Sequence, residues 1–203
     1  MQQGKFITFE GIDGAGKTTQ IDALEHWLEK QGIEVVRTRE PGGTPLGEKI
    51  RAMLLADDMS VTAETLLFFA SRAEHIERVV VPALERGAWV LSDRFTDATY
   101  AYQVGGKNYD PAKVEALESL VQGALQPFKT VLFDLSPDIA AQRLAKARAA
   151  DRFEAESREF FRRVREAYLD RAQRCARRFF ILDASLEPQA ITDALLQEAQ
   201  SWI

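Results

Sequence analysis

The sequence predicts an α/β fold: a five-stranded, mainly parallel sheet with helices on both of its faces. Three observations carry this reading. Five short apolar-rich runs are spread along the chain, and most are continuous rather than alternating, which is how strands covered on both faces read. Stretches with helical periodicity lie between them, and repeated strand–helix order builds a parallel sheet. The length of 203 residues suits one domain with a substantial core.

The five runs are "KFITFE" from Lys5, "VVRTR" from Val35, "AWVLSD" from Ala88, "TVLFDL" from Thr130 and "FFILDA" from Phe179. After the first, Ile21, Leu24 and Leu28 recur at spacings of three and four, as on one face of a helix. After the second, Leu46, Ile50, Met53 and Leu54 do the same. Asp110-Pro111 and Ser136-Pro137 each place a capping side chain before a proline at the first helical position. No repeat, low-complexity tract or linker divides the chain, so residues 1–203 read as one domain.

A net charge of −5 argues against the whole molecule binding nucleic acid through bulk electrostatics. The single cysteine, Cys175, excludes an internal disulfide and fits a reducing compartment. No apolar run approaches the roughly 18 residues a membrane span needs. The N-terminus has no basic region leading into a long apolar one. The expected location is therefore cytoplasmic, with no membrane partner. One segment departs from the average: Arg143 to Arg178 holds twelve basic and six acidic residues.

Between the first run and the first helix, "GIDGAGKT" fits G-x-x-x-x-G-K-[ST]: Gly11, Ile12, Asp13, Gly14, Ala15, Gly16, Lys17, Thr18, with Thr19 following. Such a loop turns successive backbone N–H groups inward around phosphate oxygens, and the next helix aims its positive end at the same point. Lys17 adds a point charge for the β and γ phosphates, and the Thr18 hydroxyl suits Mg²⁺. Following a strand and preceding an amphipathic helix, the motif predicts a nucleotide-binding, P-loop NTPase-type three-layer sandwich. A GTPase needs an Asn-Lys-x-Asp stretch to read guanine, but the only asparagine, Asn108, is followed by Tyr109. A helicase is usually longer. A small kinase is left, and it needs an acceptor site.

Three further stretches supply one: "TREPGGTPLGEKIR" from Thr38, "LLFFASRAEH" from Leu66 and "LSDRFTDATYAYQ" from Leu91. Together with the glycine loop, they closely resemble the thymidylate kinase family of nucleoside monophosphate kinases, from Phe6 to about Asp183. The resemblance implies that Arg39 and Arg94 hold the acceptor phosphate; each follows a strand end, where open α/β sheets bind ligands, and guanidinium forks match phosphate. It implies that Phe68 stacks on the pyrimidine and Arg72, one turn on, bonds to O4, while Phe69 belongs to the core. Asp13 corresponds to an acid that bonds the sugar 3′-hydroxyl. Thr99 and Gln103 match positions near the base, and Tyr102 matches a tyrosine that crowds the 2′ position. Asp93 is a candidate for Mg²⁺ or for orienting Arg94, and Glu40 for supporting Arg39 or a metal-bound water.

Phosphoryl transfer needs positive charge on the moving group. Some family members carry an arginine inside the glycine loop, whereas positions 12–15 here are Ile-Asp-Gly-Ala. The other branch, typical of many bacterial members, carries arginines in a mobile lid, matched here by about 142–154. Its candidates are Arg143, Lys146, Arg148 and Arg152, with Arg143 and Arg152 preferred. Most arginines beyond Arg158 read as a solvated helix face, partnered by Glu159, Glu166 and Asp170. With Lys17 and Arg94, Arg143 and Arg152 complete the expected catalytic set. The resemblance implies transfer of the γ-phosphoryl group from Mg-ATP to dTMP, by a homodimer packed through helices. Two rivals stand beside it: a kinase for another nucleoside monophosphate, and a nucleotide-dependent binding module without turnover.

Overall fold

In the computed structural model, which describes residues 4–144, Phe153 and residues 156–203, the strands are β1 (Phe6–Glu10), β2 (Val35–Arg39), β3 (Trp89–Asp93), β4 (Lys129–Asp134) and β5 (Phe179–Asp183). They form one sheet in the order β2-β3-β1-β4-β5, and every neighbouring pair is parallel. All carboxyl ends therefore lie along one edge. β1 stands at the centre and is buried throughout. Its register pairs Phe9 with Asp93 of β3, and the Arg94 amide donates to the Phe9 carbonyl at 3.0 Å. That pairing sets the loop after β3 directly beside the loop after β1.

Nine α-helices are seen among the described residues: α1 (Lys17–Lys30), α2 (Pro45–Ala56), α3 (Val61–His75), α4 (Val81–Glu85), α5 (Thr96–Thr99), α6 (Pro111–Val121), α7 (Pro137–Leu144), α8 (Arg158–Arg174) and α9 (Pro188–Ala199). The sheet's period of two separates two apolar layers. Ile7 and Phe9 join Leu24 and Leu28 of α1 and Leu195 of α9. Phe6 and Val90 join Ile76, Val80 and Ala83 on the other side. The expected helix cover on both faces is present.

Capping explains where helices begin. The Thr44 hydroxyl accepts from the Gly47 amide at 2.9 Å ahead of Pro45, and Asp110 accepts from Ala112 at 2.9 Å ahead of Pro111. Ser136 caps more loosely, at 3.4 Å from the Ile139 amide. The α2 periodicity sorts into two faces: Ile50 and Leu54 are buried, whereas Leu46 and Met53 are about half exposed. Two helical segments widen into π geometry, Ile76–Val80 after α3 and Tyr100–Gly106 after α5. Such widenings recur at functional sites, and the second carries Tyr102 and Gln103.

The basic segment corrects one expectation. Arg162 and Arg174 do form surface ion pairs along α8, with Glu159, Glu166 and Asp170. Arg165, however, grips Asp134 at the end of β4 with two hydrogen bonds. Arg171 and Arg178 both converge on Asp97, which is 1% exposed. Burying that carboxylate requires paired positive charge, so these arginines turn inward rather than facing water. They also hold the Asp97 pKa below its usual value, although burial alone would raise it.

Candidate active site

The glycine loop follows from its backbone. Gly11 has φ 133°, and a Cβ there would stand 2.6 Å from the Phe133 carbonyl oxygen, so no other residue fits. Gly16 ends the loop at φ 81° and caps α1 without any side-chain hydrogen bond. The first amides of α1 thus face the loop uncapped. Lys17 is 7% exposed, and its Nζ donates to the carbonyls of Gly11 at 3.1 Å and Ile12 at 3.2 Å. An ammonium has three donors, so one is left for a further acceptor. Burial, followed by the charge of Arg94, lowers the Lys17 pKa. Thr18 and Thr19 are exposed in the first turn of α1.

Arg94 joins this loop to a second cavity. Its backbone adopts φ 73°, a left-handed geometry unusual for a side chain of this size. Two bonds hold the turn: Ser92 Oγ donates to the Arg94 carbonyl at 2.7 Å, and the Phe95 amide donates to Glu10 Oε1 at 2.7 Å. The guanidinium then donates to the Gly11 carbonyl at 2.9 Å, to Asp13 Oδ1 at 2.8 Å, and to the hydroxyls of Tyr102 and Tyr168, both at 3.2 Å. Burial works against its charge, but Tyr102, Asp13 and Tyr168 outweigh it and raise the Arg94 pKa. The Tyr168 hydroxyl in turn donates to Glu10 Oε2 at 2.7 Å. Glu10 is wholly buried; desolvation, with Asp97 nearby, pushes its pKa up to about 8.

Beyond Arg94 opens a cleft. Its walls include Asp13, Glu40, Phe68, Arg72, Arg94, Thr99, Tyr102 and Gln103, so the structure brings together eight residues singled out in the sequence. Arg72 is 1% exposed; its Nε donates to Glu40 at 2.7 Å and its Nη2 to Thr99 Oγ1 at 3.2 Å. Its Nη1 is buried with no hydrogen-bond partner among the described residues. Glu40 is fixed from the other side by His75 Nδ1 at 2.8 Å. Burial alone would raise the Glu40 pKa; Arg72 and His75 reverse that and lower it. Phe69 lies in the core, as its neighbour Phe68 does not. Tyr102 closes the wall under Arg94, its ring 5.0 Å from the guanidinium carbon.

Asp93 ends β3 with Oδ1 buried and unpartnered among the described residues. A hard oxygen with no donor beside it suits a hard cation. Among the described residues no three histidine, cysteine or acidic side chains cluster as metal ligands. Mg²⁺ does not require such a cluster, since one or two protein oxygens with phosphates and water complete its shell. Thr18 and Asp93 thus fit the ion.

Arg39 ends β2, next in the chain to the cleft residues Glu40 and Pro41. It is half exposed, bound side-on by Glu48 at 2.7 and 3.3 Å, and it is not among the cleft-lining residues. Arg51 of α2 lines the cleft, anchored to the Pro41 carbonyl at 3.1 Å. Its position was readable: it adjoins Ile50 and precedes Leu54 by three residues, at the edge of the buried face. Arg143 donates to the Ala184 carbonyl at 2.9 Å and reaches the Gly14 carbonyl at 3.4 Å. Lys146, Arg148 and Arg152 lie outside the described residues, whereas Phe153 contributes to the cleft wall.

Comparisons with known proteins agree with this geometry. The profile of the family described as thymidylate kinase matches residues 9–195. A thymidylate kinase of Methylobacillus flagellatus is 57% identical over 183 residues, 90% of either chain. One from Ralstonia nicotianae is 59% identical over 186 residues, covering 90% of this chain and 91% of its own. The crystal structure of thymidylate kinase from Ehrlichia chaffeensis superposes with a TM-score of 0.79 at 33% identity, covering 98% of this chain and 99% of that one. With the glycine loop, the shared arginine and the polar cleft all on one sheet edge, this chain belongs to the thymidylate kinase family.

Proposed function

We propose that the chain transfers the γ-phosphoryl group of Mg-ATP to dTMP, giving dTDP and ADP on the route to dTTP, within a single domain spanning 1–203. The observation that supports this most directly is the double engagement of Arg94. One guanidinium bonds the glycine loop through Gly11 and also lines the cleft. Two phosphates bound on either side of it would lie end to end.

In this reading, the amides from Gly11 to Thr19 hold the phosphates of ATP. Lys17 turns its remaining N–H toward the β and γ oxygens. Arg94 sits between donor and acceptor, and Arg51 with Arg39 adds positive charge on the acceptor side. Asp13 accepts from the sugar 3′-hydroxyl. Phe68 stacks on the base, Arg72 Nη1 donates to O4, Thr99 and Gln103 border the ring, and Tyr102 excludes a 2′-hydroxyl. Thr18 and Asp93 would hold Mg²⁺, which would neutralise phosphate charge. Arg143, already at the Gly14 carbonyl, and Arg152 bring positive charge to the moving group from the lid, about 142–154. Transfer is in line, and catalysis is positioning plus charge stabilisation. A general base is not needed, because the acceptor oxygen is already anionic.

A homodimer is part of the proposal. Leu46 and Met53 on α2, Leu66 on α3 and Leu120 on α6 are large, apolar and exposed. α2 packs on α3 and α3 on α6, so these side chains stand on neighbouring helices. No helix among the described residues is long and apolar enough to cross a membrane. The cytoplasm and small-molecule partners are accordingly proposed.

The test is a coupled ADP-release assay over dTMP, dUMP, dCMP, GMP and AMP. Selective turnover of dTMP is expected. Turnover of a different monophosphate would reassign the acceptor. ATP binding without turnover of any acceptor would favour a binding module.

A further inference from the structure

Glu64 sits in the first turn of α3, 0% exposed. Phe68 and Arg72, two cleft residues, follow it at intervals of four and share its helix face. Gln103 Nε2 donates to Glu64 Oε1 at 2.9 Å. Lys107 Nζ meets the same carboxylate at 2.8 Å from Oε1 and 2.7 Å from Oε2. None of these contacts is used in the reaction described above.

The chemistry of the trio is directional. A carboxylate paired with an ammonium can only accept. The amide of Gln103 must therefore present its NH₂ to Glu64, whichever way the group would otherwise turn. Its carbonyl oxygen is then the end left for the cleft that Gln103 lines. Arg72 offers the cleft a donor, Nη1. The cleft thus shows one acceptor and one donor. A pyrimidine with N–H at position 3 and an oxygen at position 4 complements that pair. One with a bare nitrogen and an amino group opposes it at both places.

We infer that Glu64, braced by Lys107, is a positioning residue that sets base choice by fixing which end of the Gln103 amide faces the substrate. The inference rests on the acceptor reading proposed above. In Glu64→Gln the new side chain has an NH₂ of its own, which needs an acceptor and finds the Gln103 oxygen. Gln103 is then free to turn its NH₂ into the cleft. Lys107→Met acts in the same direction, because it removes the ammonium that braces the Glu64 carboxylate against Gln103.

The experiment measures kcat/KM for dTMP, dUMP and dCMP in the wild-type protein and both variants. In the variants the dTMP:dCMP ratio is expected to fall by about tenfold, and the dTMP:dUMP ratio to stay within about twofold, because only dCMP differs at the edge Gln103 reads. A merely structural role would lower all three together; both ratios unchanged would overturn the inference. Should Glu64→Gln give no cooperative melt, Lys107→Met, at the partly exposed rim, decides alone. If the wild type turns over none of the three, the functional proposal fails instead. Base choice is then read from calorimetric affinities by the same two ratios.

Discussion

Lys17 is bound to carbonyls of its own loop, so its side chain is oriented before any phosphate arrives. Lys17→Ala should lower kcat by at least about 10²-fold, the scale of one lost donor to transition-state charge. Calorimetric affinity for dTMP should be largely unchanged, because the loss lies on the donor side; equal loss of dTMP affinity would contradict that assignment. Tyr102 makes a different prediction. Its ring packs under Arg94 and its hydroxyl accepts from it. Tyr102→Ala should raise the UMP:dUMP ratio of kcat/KM about tenfold by opening space at the 2′ carbon, while activity on dTMP falls as Arg94 loosens. An unmoved UMP:dUMP ratio would remove Tyr102 from sugar discrimination. At this scale the glycine loop was fully legible, because the chemistry of Gly11 to Thr18 is written in consecutive residues. Glu64 and Tyr168 were not, since what each touches lies far away in the chain. Glu64 meets Gln103 and Lys107 across two elements, and Tyr168 meets Glu10 and Arg94 across nearly the whole sequence.

Among the elements, β1 has the most to carry. Its last residue, Glu10, accepts from Tyr168 of α8 and from the amide after Arg94, and so ties the central strand to the turn that aims the guanidinium. The Glu10 pKa rises from 4.5 to about 8, with desolvation the main cause. Between those values the folded protein keeps a proton that the unfolded chain has released. The contribution of Glu10 to stability is therefore full below about pH 4.5 and declines as pH rises toward 8. Glu10→Gln should flatten the fall in melting temperature between pH 5 and 8 measured by scanning fluorimetry. Parallel curves for the two proteins would show that Glu10 does not titrate in this window. β2 and β5 stand at the sheet edges and are only partly buried, whereas the central strands β1, β3 and β4 were legible because covered strands leave continuous apolar runs. The inward arginines of α8 and of its C-terminal flank were not. Arg171 and Arg178 resemble Arg162 and Arg174 in sequence, and only Asp97, delivered by α5, separates the buried pair from the solvated one.

For the whole molecule, the parallel order β2-β3-β1-β4-β5 sets every strand's carboxyl end on the edge where the glycine loop and the cleft meet. The proposed association is assigned to the helices. Met53→Glu on α2 should convert a dimer to a monomer in size-exclusion chromatography with light scattering, with the far-ultraviolet circular dichroism unchanged. A wild-type protein that runs as a monomer would end the dimer proposal outright. One atom described above has a wider bearing: Asp93 Oδ1, buried with nothing among the described residues to bond it. Such an atom weakens the fold it belongs to by about 1–3 kcal/mol. Libraries of this chain screened only for survival of heating should thus discard aspartate at position 93, whereas libraries screened for turnover should keep it. Durability and chemistry would pull the same codon in opposite directions.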